Sequence, residues 1–311
     1  MIKFNTETKI YIAGCGGMLG LAVYELFSRF ASVKATDIDV NAPWLQYGDV
    51  RDYQAIKRSI VEFKPDVIIN LAALTDMEIC EKDFENAWLT NALGAENVAL
   101  VALELNVPHI YISTAGIFGG EKDMFNDFDT PNPLSIYAKS KYAGEMFVKQ
   151  NLSKYYVVRA GWMMGGGPTK DKKFINKLYK QIVAGQKDLY VVEDKLGTPT
   201  YTVDFAQGLM KLLESGCYGV YNQVCSGSCS RYEVAEEFIR LLGLSNSVNI
   251  HKVSSDYFIN DYFAPRPASE KLINMKLQAR NLMVMRDWRI CLAEYVSKLF
   301  QNNLQNTKDL T

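Results

Sequence analysis

The first half of the chain alternates short apolar runs with longer stretches in which apolar residues recur every three or four positions. The short runs predict strands and the longer stretches predict helices. The run DVIINL at 66–71 has no polar alternation, which is typical of a strand buried on both faces of a sheet. This alternation predicts an α/β fold, in which right-handed crossovers place helices on both sides of a parallel sheet.

Five strands and four helices are predicted before residue 161. The predicted strands are 9–13, 33–38, 66–71, 109–113 and 155–160, and the predicted helices are 18–30, 53–63, 84–105 and 136–151. We therefore predict a doubly wound sheet of the Rossmann type.

After residue 165 the pattern changes to a polar, glycine-rich loop followed by less regular elements. The pattern predicts helices at 174–184, 204–213 and 289–302 and one that follows Arg231, an extended segment at 188–192, a turn at 197–200 and a further strand at 219–225. We predict a dinucleotide-binding domain of residues 1–165 plus about 198–226. Residues 166–197 and 227–311, approximately, would form a smaller substrate-binding lobe over the carboxyl edge of the sheet.

Composition and charge narrow the classes of function. The 311 residues are 48% hydrophobic and carry a formal net charge of −1, which is ordinary for a soluble globular protein and argues against binding to nucleic acid or to an anionic membrane. No apolar stretch approaches the roughly 18 residues of a membrane helix. Six scattered cysteines and two histidines do not suggest a metal site. We expect reduced thiols in a cytoplasmic protein.

A glycine-rich turn joins the first predicted strand to the first predicted helix. The sequence Gly14-Cys-Gly-Gly17-Met18-Leu19-Gly20 has the spacing G-x-x-G-x-x-G, which differs from the better-known G-x-G-x-x-G fingerprint. Glycine allows a tight turn and lets backbone N–H groups approach a diphosphate at a helix N-terminus. We expect these residues to contact a dinucleotide, although glycine turns also occur for packing alone.

A carboxylate at the end of the second predicted strand bears on the choice of cofactor. Asp37 lies 17 residues after Gly20, where it can accept hydrogen bonds from the adenosine ribose. It would also repel a 2′-phosphate, which favours NAD(H) over NADP(H). Asp39 is a second candidate for this role, and a solvated strand end is the alternative for either residue.

Two further segments are candidates for contact with the cofactor. Asp49 and Val50 lie where folds of this kind contact the adenine. Leu71, Ala72 and Ala73 end the third predicted strand with small side chains where a ribose would pass.

The candidate catalytic residues are Thr114, Tyr137 and Lys141. Tyr137 and Lys141 share one helix face at i, i+4, and a nearby ammonium would lower the tyrosine pKa, which would allow acid–base catalysis nearer neutral pH. Thr114 follows the fourth predicted strand and therefore reaches the same sheet edge as the glycine turn. Ser113 is its neighbour, and strand alternation lets only one of the two face the site. Asn91 is expected to complete a polar chain to the lysine.

These motifs, in this order, resemble the extended short-chain dehydrogenases and, within them, the dTDP-4-dehydrorhamnose reductase family. The resemblance covers nearly the whole chain. It is carried by GCGGMLG (14–20), NLAALTDMEICE (70–81), TNALGAENVA (90–99), ISTAGIFGG (112–120), YAKSKYAGE (137–145), RAGWMMGG (159–166), GTPTYTVDFAQGL (197–209) and APRPASEKL (264–272).

The resemblance implies reduction at C4 of a nucleotide-linked 4-keto-6-deoxyhexose by a nicotinamide cofactor. Tyr137 would donate the proton, Lys141 would bind the nicotinamide ribose and Thr114 would orient the carbonyl. Trp162 matches a tryptophan of the family's sugar pocket, with core packing as the alternative. Arg266, in the family's RP motif, would face the diphosphate.

The chain departs from the family pattern beside the catalytic threonine. Family members usually read Ser-Thr-Asp-Tyr-Val-Phe, whereas Ala115 and Gly116 follow Thr114 here, so Ala115 would form an altered wall of the substrate site. The RP segment also differs, because it reads Arg-Pro-Ala-Ser-Glu rather than Arg-Pro-x-Asn-Ser. These departures bear on the sugar and the nucleotide more than on the type of reaction.

Two other functions are compatible with these residues. A nucleotide-sugar epimerase on the same scaffold would retain NAD without net turnover, whereas a dehydratase would need the acid–base pair that Ala115 and Gly116 cannot supply. A non-catalytic partner protein, like the regulatory subunit of methionine adenosyltransferase, resembles the same family. The sequence leaves the oligomeric state open, with a homodimer as the common case.

Overall fold

The computed structural model describes residues 1–299, and its strands form one large sheet and three small ones. In chain order the strands are β1 (Lys9–Ala13), β2 (Ser32–Asp37), β3 (Leu45–Tyr47), β4 (Val67–Asn70), β5 (His109–Thr114), β6 (Tyr155–Ala160), β7 (Trp162–Met164), β8 (Asp188–Val192), β9 (Leu196–Gly197), β10 (Pro199–Tyr201), β11 (Gly219–Asn222), β12 (Cys229–Ser230), β13 (Asn249–Val253) and β14 (Ser269–Glu270). Seven of them form a parallel sheet in the order β11-β6-β5-β4-β1-β2-β3.

Helices connect the strands. They are α1 (Met18–Phe27), α2 (Tyr53–Phe63), α3 (Met77–Lys82), α4 (Phe84–Trp88), α5 (Gly94–Leu105), α6 (Ile136–Asn151), α7 (Gly167–Lys170), α8 (Phe174–Val183), α9 (Thr202–Ser215), α10 (Arg231–Leu241), α11 (Met275–Ala279) and α12 (Trp288–Leu299). A π-helical turn at Leu89–Leu93 joins α4 to α5, and short 3₁₀ turns lie at Ala115–Ile117 and Ser255–Phe258. Among the described residues no helix is both long and apolar enough to cross a bilayer.

The central strands β1, β4, β5 and β6 are buried on both faces of the sheet because each contributes to two separate cores. On β1, Ile10 and Ile12 pack with α1 and α9, while Tyr11 and Ala13 pack with α2 and α5 on the opposite face. Side chains alternate between the faces of a strand, so an apolar run without polar alternation supplies both cores. The predicted Rossmann-type α/β class is confirmed.

Several predicted elements differ from the structure. The helix predicted at 84–105 is interrupted by the π-helical turn at Leu89–Leu93, and the strand β3 was not predicted. The turn predicted at 197–200 is wrong, because Leu196–Gly197 pairs with β12 and β14 while Pro199–Tyr201 pairs with β7. Proline favours a turn locally, yet it is also tolerated at the start of a short strand, where pairing overrides that preference. The last predicted helix, 289–302, extends beyond the described residues.

Strands β5 and β6 are held against α6 by a buried ion pair and a hydrogen bond. Glu145 of α6 accepts hydrogen bonds from Arg159 Nη2 at 2.6 Å and Arg159 Nε at 3.2 Å, and also from Ser113 Oγ at 2.7 Å. Both charged side chains are at most 2% exposed. This three-way contact joins β5, β6 and α6 one helical turn below Lys141.

Removal of one charge of this pair should destabilise the protein strongly. We expect Glu145→Gln to lower the free energy of unfolding by about 3–5 kcal/mol, because the Arg159 guanidinium would remain buried without its partner. Urea denaturation followed by circular dichroism measures this. The matched control is Glu104→Gln, which removes the exposed ion pair with Lys57 at 2.6 Å and should cost less than about 1 kcal/mol. Equal losses in the two variants would contradict the prediction.

Candidate functional site

A cavity of about 1310 Å³ opens at the carboxyl ends of the central strands, where ligands bind in open α/β sheets. Its volume exceeds that of a typical site for one small ligand, which suits a dinucleotide and a second molecule together. Sixteen of the eighteen residues predicted for the site line this cavity; they are Gly14, Gly17, Met18, Leu19, Gly20, Asp37, Asp49, Val50, Leu71, Ala72, Ala73, Thr114, Tyr137, Lys141, Trp162 and Arg266.

Three of the four glycines in the first turn, those of the G-x-x-G-x-x-G spacing, have different environments. Gly14 has φ +74°, and a Cβ there would lie 2.2 Å from the Ala72 nitrogen, while a Cβ at Gly20 would lie 2.0 Å from the Cys15 oxygen. Gly17, the N-cap of the ten-residue helix α1, would place a Cβ in open space with no heavy atom within 4 Å. Gly14 and Gly20 therefore allow close packing, and Gly17 leaves the helix N-terminus accessible to an anion. The turn fits a dinucleotide diphosphate.

Asp37 at the end of β2 is bonded to the glycine turn. Its Oδ2 accepts from the Gly16 amide at 2.7 Å and its Oδ1 accepts from the Asp39 amide at 2.9 Å. Neither carboxylate forms an ion pair within the described residues. Asn41 Nδ2 donates to the Gly16 carbonyl at 3.3 Å and to Asp39 at 2.8 Å. Two carboxylates therefore lie at this rim of the cavity, together with the Lys170 ammonium, which donates to the Gly16 carbonyl at 3.0 Å.

Asp49 and Val50 line the next part of the cavity, and both are held by neighbours. Asp49 accepts from Arg51 Nη2 at 2.6 Å, and that hydrogen bond holds the pKa of the carboxyl below its ordinary value. The Val50 carbonyl accepts from Asn97 Nδ2 at 2.8 Å. The Val50 side chain is therefore fixed at the cavity wall, whereas the Asp49 carboxylate is already paired.

Helix α6 begins where it can present Tyr137 to the cavity. Ser135 caps the helix by accepting from the Ala138 amide at 3.1 Å, and Glu81 accepts from the Ile136 amide at 2.8 Å. These two bonds satisfy N–H groups that the first turn of a helix leaves free. They fix the helix start one residue before Tyr137.

Strand β5 and helix α6 bring the Thr114 hydroxyl and the Tyr137 phenol to the same part of the cavity. Thr114 Oγ1 accepts from the Gly116 amide at 3.1 Å, while Ser113 points to the opposite face and bonds Glu145. Burial raises the pKa of Tyr137 to about 12, and the nearby Thr114 hydroxyl acts in the opposite direction. The phenol is therefore protonated at neutral pH.

Lys141 lies one turn further along α6, and its side chain is 3% exposed. Its ammonium nitrogen lies 4.2 Å from the centroid of the Tyr111 ring and forms no hydrogen bond to another described residue. Burial lowers the pKa of Lys141 to about 7, and the carboxylate of Glu145 acts in the opposite direction. The expectation that Lys141 lowers the pKa of Tyr137 is wrong for this structure, because burial of the phenol dominates.

Two predicted site residues do not line the cavity. Asn91 is fully buried, accepts from the Leu74 amide at 2.8 Å and donates to Ser140 Oγ at 3.1 Å, so its polar chain ends at Ser140 rather than at the Lys141 ammonium. Ala115 is 2% exposed and packs in a small apolar cluster with Ile117 and Phe118. The 3₁₀ turn that follows Thr114 directs Ala115 inward, so its predicted contact with substrate is corrected.

The other side of the cavity is formed by residues from the second half of the chain. Trp162 Nε1 donates to Glu270 Oε2 at 2.6 Å, and the Arg231 guanidinium lies over the indole ring at 3.6 Å from its centroid. Arg266 pairs with Glu78 at 2.7 Å. Sequence reasoning missed Arg231 and did not assign a role to Glu270, although the altered RP segment was a signal for the latter.

Together these groups can bind a planar cofactor and protonate an oxygen beside it. The cavity runs from the accessible N-terminus of α1, past Thr114 and Tyr137, to the indole of Trp162. A protonated phenol with a threonine hydroxyl beside it provides two hydrogen-bond donors for one carbonyl oxygen.

Comparisons with known proteins agree with this arrangement. The family model described as the RmlD substrate binding domain matches residues 8–301. The spore coat polysaccharide biosynthesis protein SpsK of Bacillus subtilis is 30% identical over 292 residues, which cover 94% of this chain and 98% of that protein.

Two solved structures are similar over the whole fold. A dTDP-4-dehydrorhamnose reductase of Clostridium acetobutylicum has a TM-score of 0.85 and 34% identity, and covers 93% of this chain and 99% of its own. The dTDP-4-dehydrorhamnose reductase of Bacillus anthracis in complex with NADP has a TM-score of 0.85 and 29% identity, and covers 94% of this chain and 100% of its own. The resemblance found in the motifs is thereby confirmed, and the chain belongs to the RmlD substrate-binding domain family of extended short-chain dehydrogenases.

Proposed function

We propose that this protein is an NAD(P)H-dependent reductase of a nucleotide-linked 4-keto-6-deoxy sugar. The observation that carries the proposal is the meeting of Thr114, Tyr137 and Lys141 at the edge of the sheet where the glycine turn opens. The names of the two similar reductases and the family match support the same type of reaction.

A bound dihydronicotinamide would supply a hydride to the carbonyl carbon of the sugar. Thr114 and Tyr137 hold the carbonyl oxygen between two hydroxyl donors, and the phenol gives its proton to that oxygen as the alcohol forms. Lys141 lies one turn from Tyr137, where its side chain can donate to a ribose hydroxyl of the cofactor. Solvent then returns a proton to the phenolate.

The raised pKa of Tyr137 suits the direction of reduction. A phenol with a pKa of about 12 is almost fully protonated at neutral pH and is therefore ready to donate.

The remaining predicted site residues are assigned to the two ligands. Gly14, Gly17, Met18, Leu19 and Gly20 would hold the diphosphate of the cofactor. The residues assigned to its adenosine and ribose groups are Asp37, Asp49, Val50, Leu71, Ala72 and Ala73. The smaller lobe predicted from the sequence would hold the nucleotide sugar.

Two residues on the sugar side are assigned to specific parts of the substrate. Trp162 would cover the sugar ring, and Arg266 would face the diphosphate even while it is paired with Glu78. The six cysteines are all free thiols, which fits an enzyme that works in the reducing environment of the cytoplasm.

We infer a preference for NADH from the acidic rim formed by Asp37 and Asp39. A 2′-phosphate placed beside the Asp37 carboxylate would meet a like charge with no ion-pair partner in the described residues. A ribose with a free 2′-hydroxyl would instead donate a hydrogen bond to it.

Replacement of the phenol tests the role of Tyr137. We expect Tyr137→Phe to lower kcat by at least about 100-fold, because the proton donor is lost. Cofactor affinity, measured by fluorescence titration with NADH, should change less than about twofold, since the ring still fills its place. Loss of cofactor binding with kcat retained would contradict the proton-donor role.

Replacement of the rim carboxylate tests the cofactor preference. Wild-type protein should have a higher kcat/KM with NADH than with NADPH, and Asp37→Ala should lower that ratio about tenfold or more, because one repulsive charge is removed. Asp39→Ala is the matched control and should change the ratio less. A wild-type preference for NADPH would refute the assignment.

The lowered pKa of Lys141 gives a pH dependence of stability. The unfolded chain, with an ordinary lysine pKa of 10.5, binds more protons than the folded protein between pH 7 and 10.5. The contribution of Lys141 to stability therefore rises as the pH increases through this window. The free energy of unfolding of wild type should increase with pH relative to Lys141→Met, measured by urea denaturation at several pH values. Parallel curves would contradict the lowered pKa.

A further inference from the structure

Glu270 lies on the substrate side of the cavity, where the short strand β14 brings it beside the catalytic edge. It is paired in register with Gly197 of β9. A Cβ at Gly197 would lie 2.3 Å from Trp162 Cε2, so the indole ring packs directly on that backbone. Glu270 belongs to this small sheet and the Trp162 ring packs on it, so the two side chains keep a fixed relation to each other.

One oxygen of the Glu270 carboxylate is occupied within the protein. Its Oε2 accepts from Trp162 Nε1 at 2.6 Å, and the Arg231 guanidinium covers the same ring. The indole is thus held between the Gly197 backbone and a cation, which restricts the rotamers that both side chains can adopt. The direction of the carboxylate is set by this packing before substrate arrives.

The other oxygen, Oε1, receives no hydrogen bond from the described residues and faces the catalytic threonine. A Cβ built on Gly116 would lie 3.2 Å from Glu270 Oε1 and 3.5 Å from Thr114 Oγ1. The two oxygens therefore flank one point at the floor of the cavity. A sugar whose carbonyl bonds Thr114 and Tyr137 would place the neighbouring ring carbon within reach of Oε1.

Gly116 and Glu270 lie close together in space, and the resemblance described above implies that the chain departs from the family pattern at both positions. Gly116 has no positive φ, so its backbone does not require glycine. A Cβ there would lie 3.2 Å from Glu270 Oε1, so a larger side chain would crowd the carboxylate.

We propose that Glu270 determines substrate specificity by accepting a hydrogen bond from a hydroxyl on the carbon next to the reacting carbonyl. In a 4-keto-6-deoxyhexose that hydroxyl is on C3, because C5 carries the methyl group. A carboxylate oxygen accepts and does not donate, so Oε1 recognises a hydrogen-bond donor and is left without a partner when the donor is missing. This inference rests on the proposed reductase function.

Two substrates and one conservative variant test this inference. The substrates are a dTDP-linked 4-keto-6-deoxyhexose with a C3 hydroxyl and its 3-deoxy counterpart, assayed by oxidation of NADH. We expect Glu270→Gln to lower kcat/KM about 10- to 100-fold for the hydroxylated substrate and less than about twofold for the deoxy substrate. Glutamine can still accept from Trp162, so the wall itself is retained.

A matched control removes a charge elsewhere in the same cavity. Asp256 lines the cavity, is exposed and forms no side-chain hydrogen bond to another described residue. Asp256→Asn should leave kcat/KM for both substrates unchanged within about twofold, because only a screened, distant charge is lost. An equal selective loss in this variant would show that net charge, rather than Glu270 itself, sets the preference.

A second variant, at Gly116, tests the position of Glu270 Oε1 without changing Glu270 itself. Gly116→Ala should push Oε1 from its position and reduce kcat/KM for the hydroxylated substrate, with little effect on the deoxy substrate. This test applies even if Glu270→Gln does not fold. Equal losses for both substrates in Glu270→Gln and Gly116→Ala, or no loss in either, would overturn the role of Glu270. No turnover of either substrate by wild type would instead overturn the proposed function.

Discussion

The buried contact between Glu145 and Arg159 holds α6 against the central strands, and the position of the site depends on it. Parallel strands end at one edge of the sheet, so the residues after β1, β4 and β5 meet there by topology alone. The helix α6 has no such constraint. Its attachment to β5 and β6, with Ser135 and Glu81 at its first turn, places Tyr137 beside Thr114.

The same attachment explains why the site combines a protonated phenol with an easily neutralised lysine. Lys141 points into a buried region against the Tyr111 ring, and burial lowers its pKa, which disfavours the charged form. Glu145 lies one turn away and favours the charged form. Glu145 therefore both holds the helix in place and favours the charged form of Lys141 against the effect of burial, so the position and the protonation of Lys141 both change if Glu145 is replaced.

The fold, and the edge of the sheet at which the site lies, could be predicted from the sequence because both follow from local patterns. DVIINL at 66–71 showed a strand with two buried faces, and Tyr137 and Lys141 share a helix face by spacing alone. Prediction of the Rossmann class requires little more than the alternation of strands and helices and the right-handedness of the crossovers. The glycine turn could be placed for the same reason, because it lies between a strand and a helix.

The features that sequence reasoning missed depend on contacts between distant residues. The pKa of Tyr137 is set by burial, which spacing does not reveal, and the inward turn of Ala115 depends on the 3₁₀ geometry after Thr114. Glu270 and Gly116 are separated by about half of the chain, so their proximity becomes visible only when β14 is placed beside the edge of the sheet that holds Thr114. The interruption of the helix near Asn91 likewise follows from tertiary packing.

Transfer of a labelled hydride tests the central claim most directly. NADH or NADPH carrying deuterium at both positions of nicotinamide C4 would be incubated with the protein and a dTDP-linked 4-keto-6-deoxyhexose, and the product examined by NMR. The convergence of Thr114, Tyr137 and Lys141 on a nicotinamide predicts one deuterium on the new carbinol carbon for each cofactor oxidised. A product without deuterium, or a sugar returned unreduced with its cofactor intact, would contradict it.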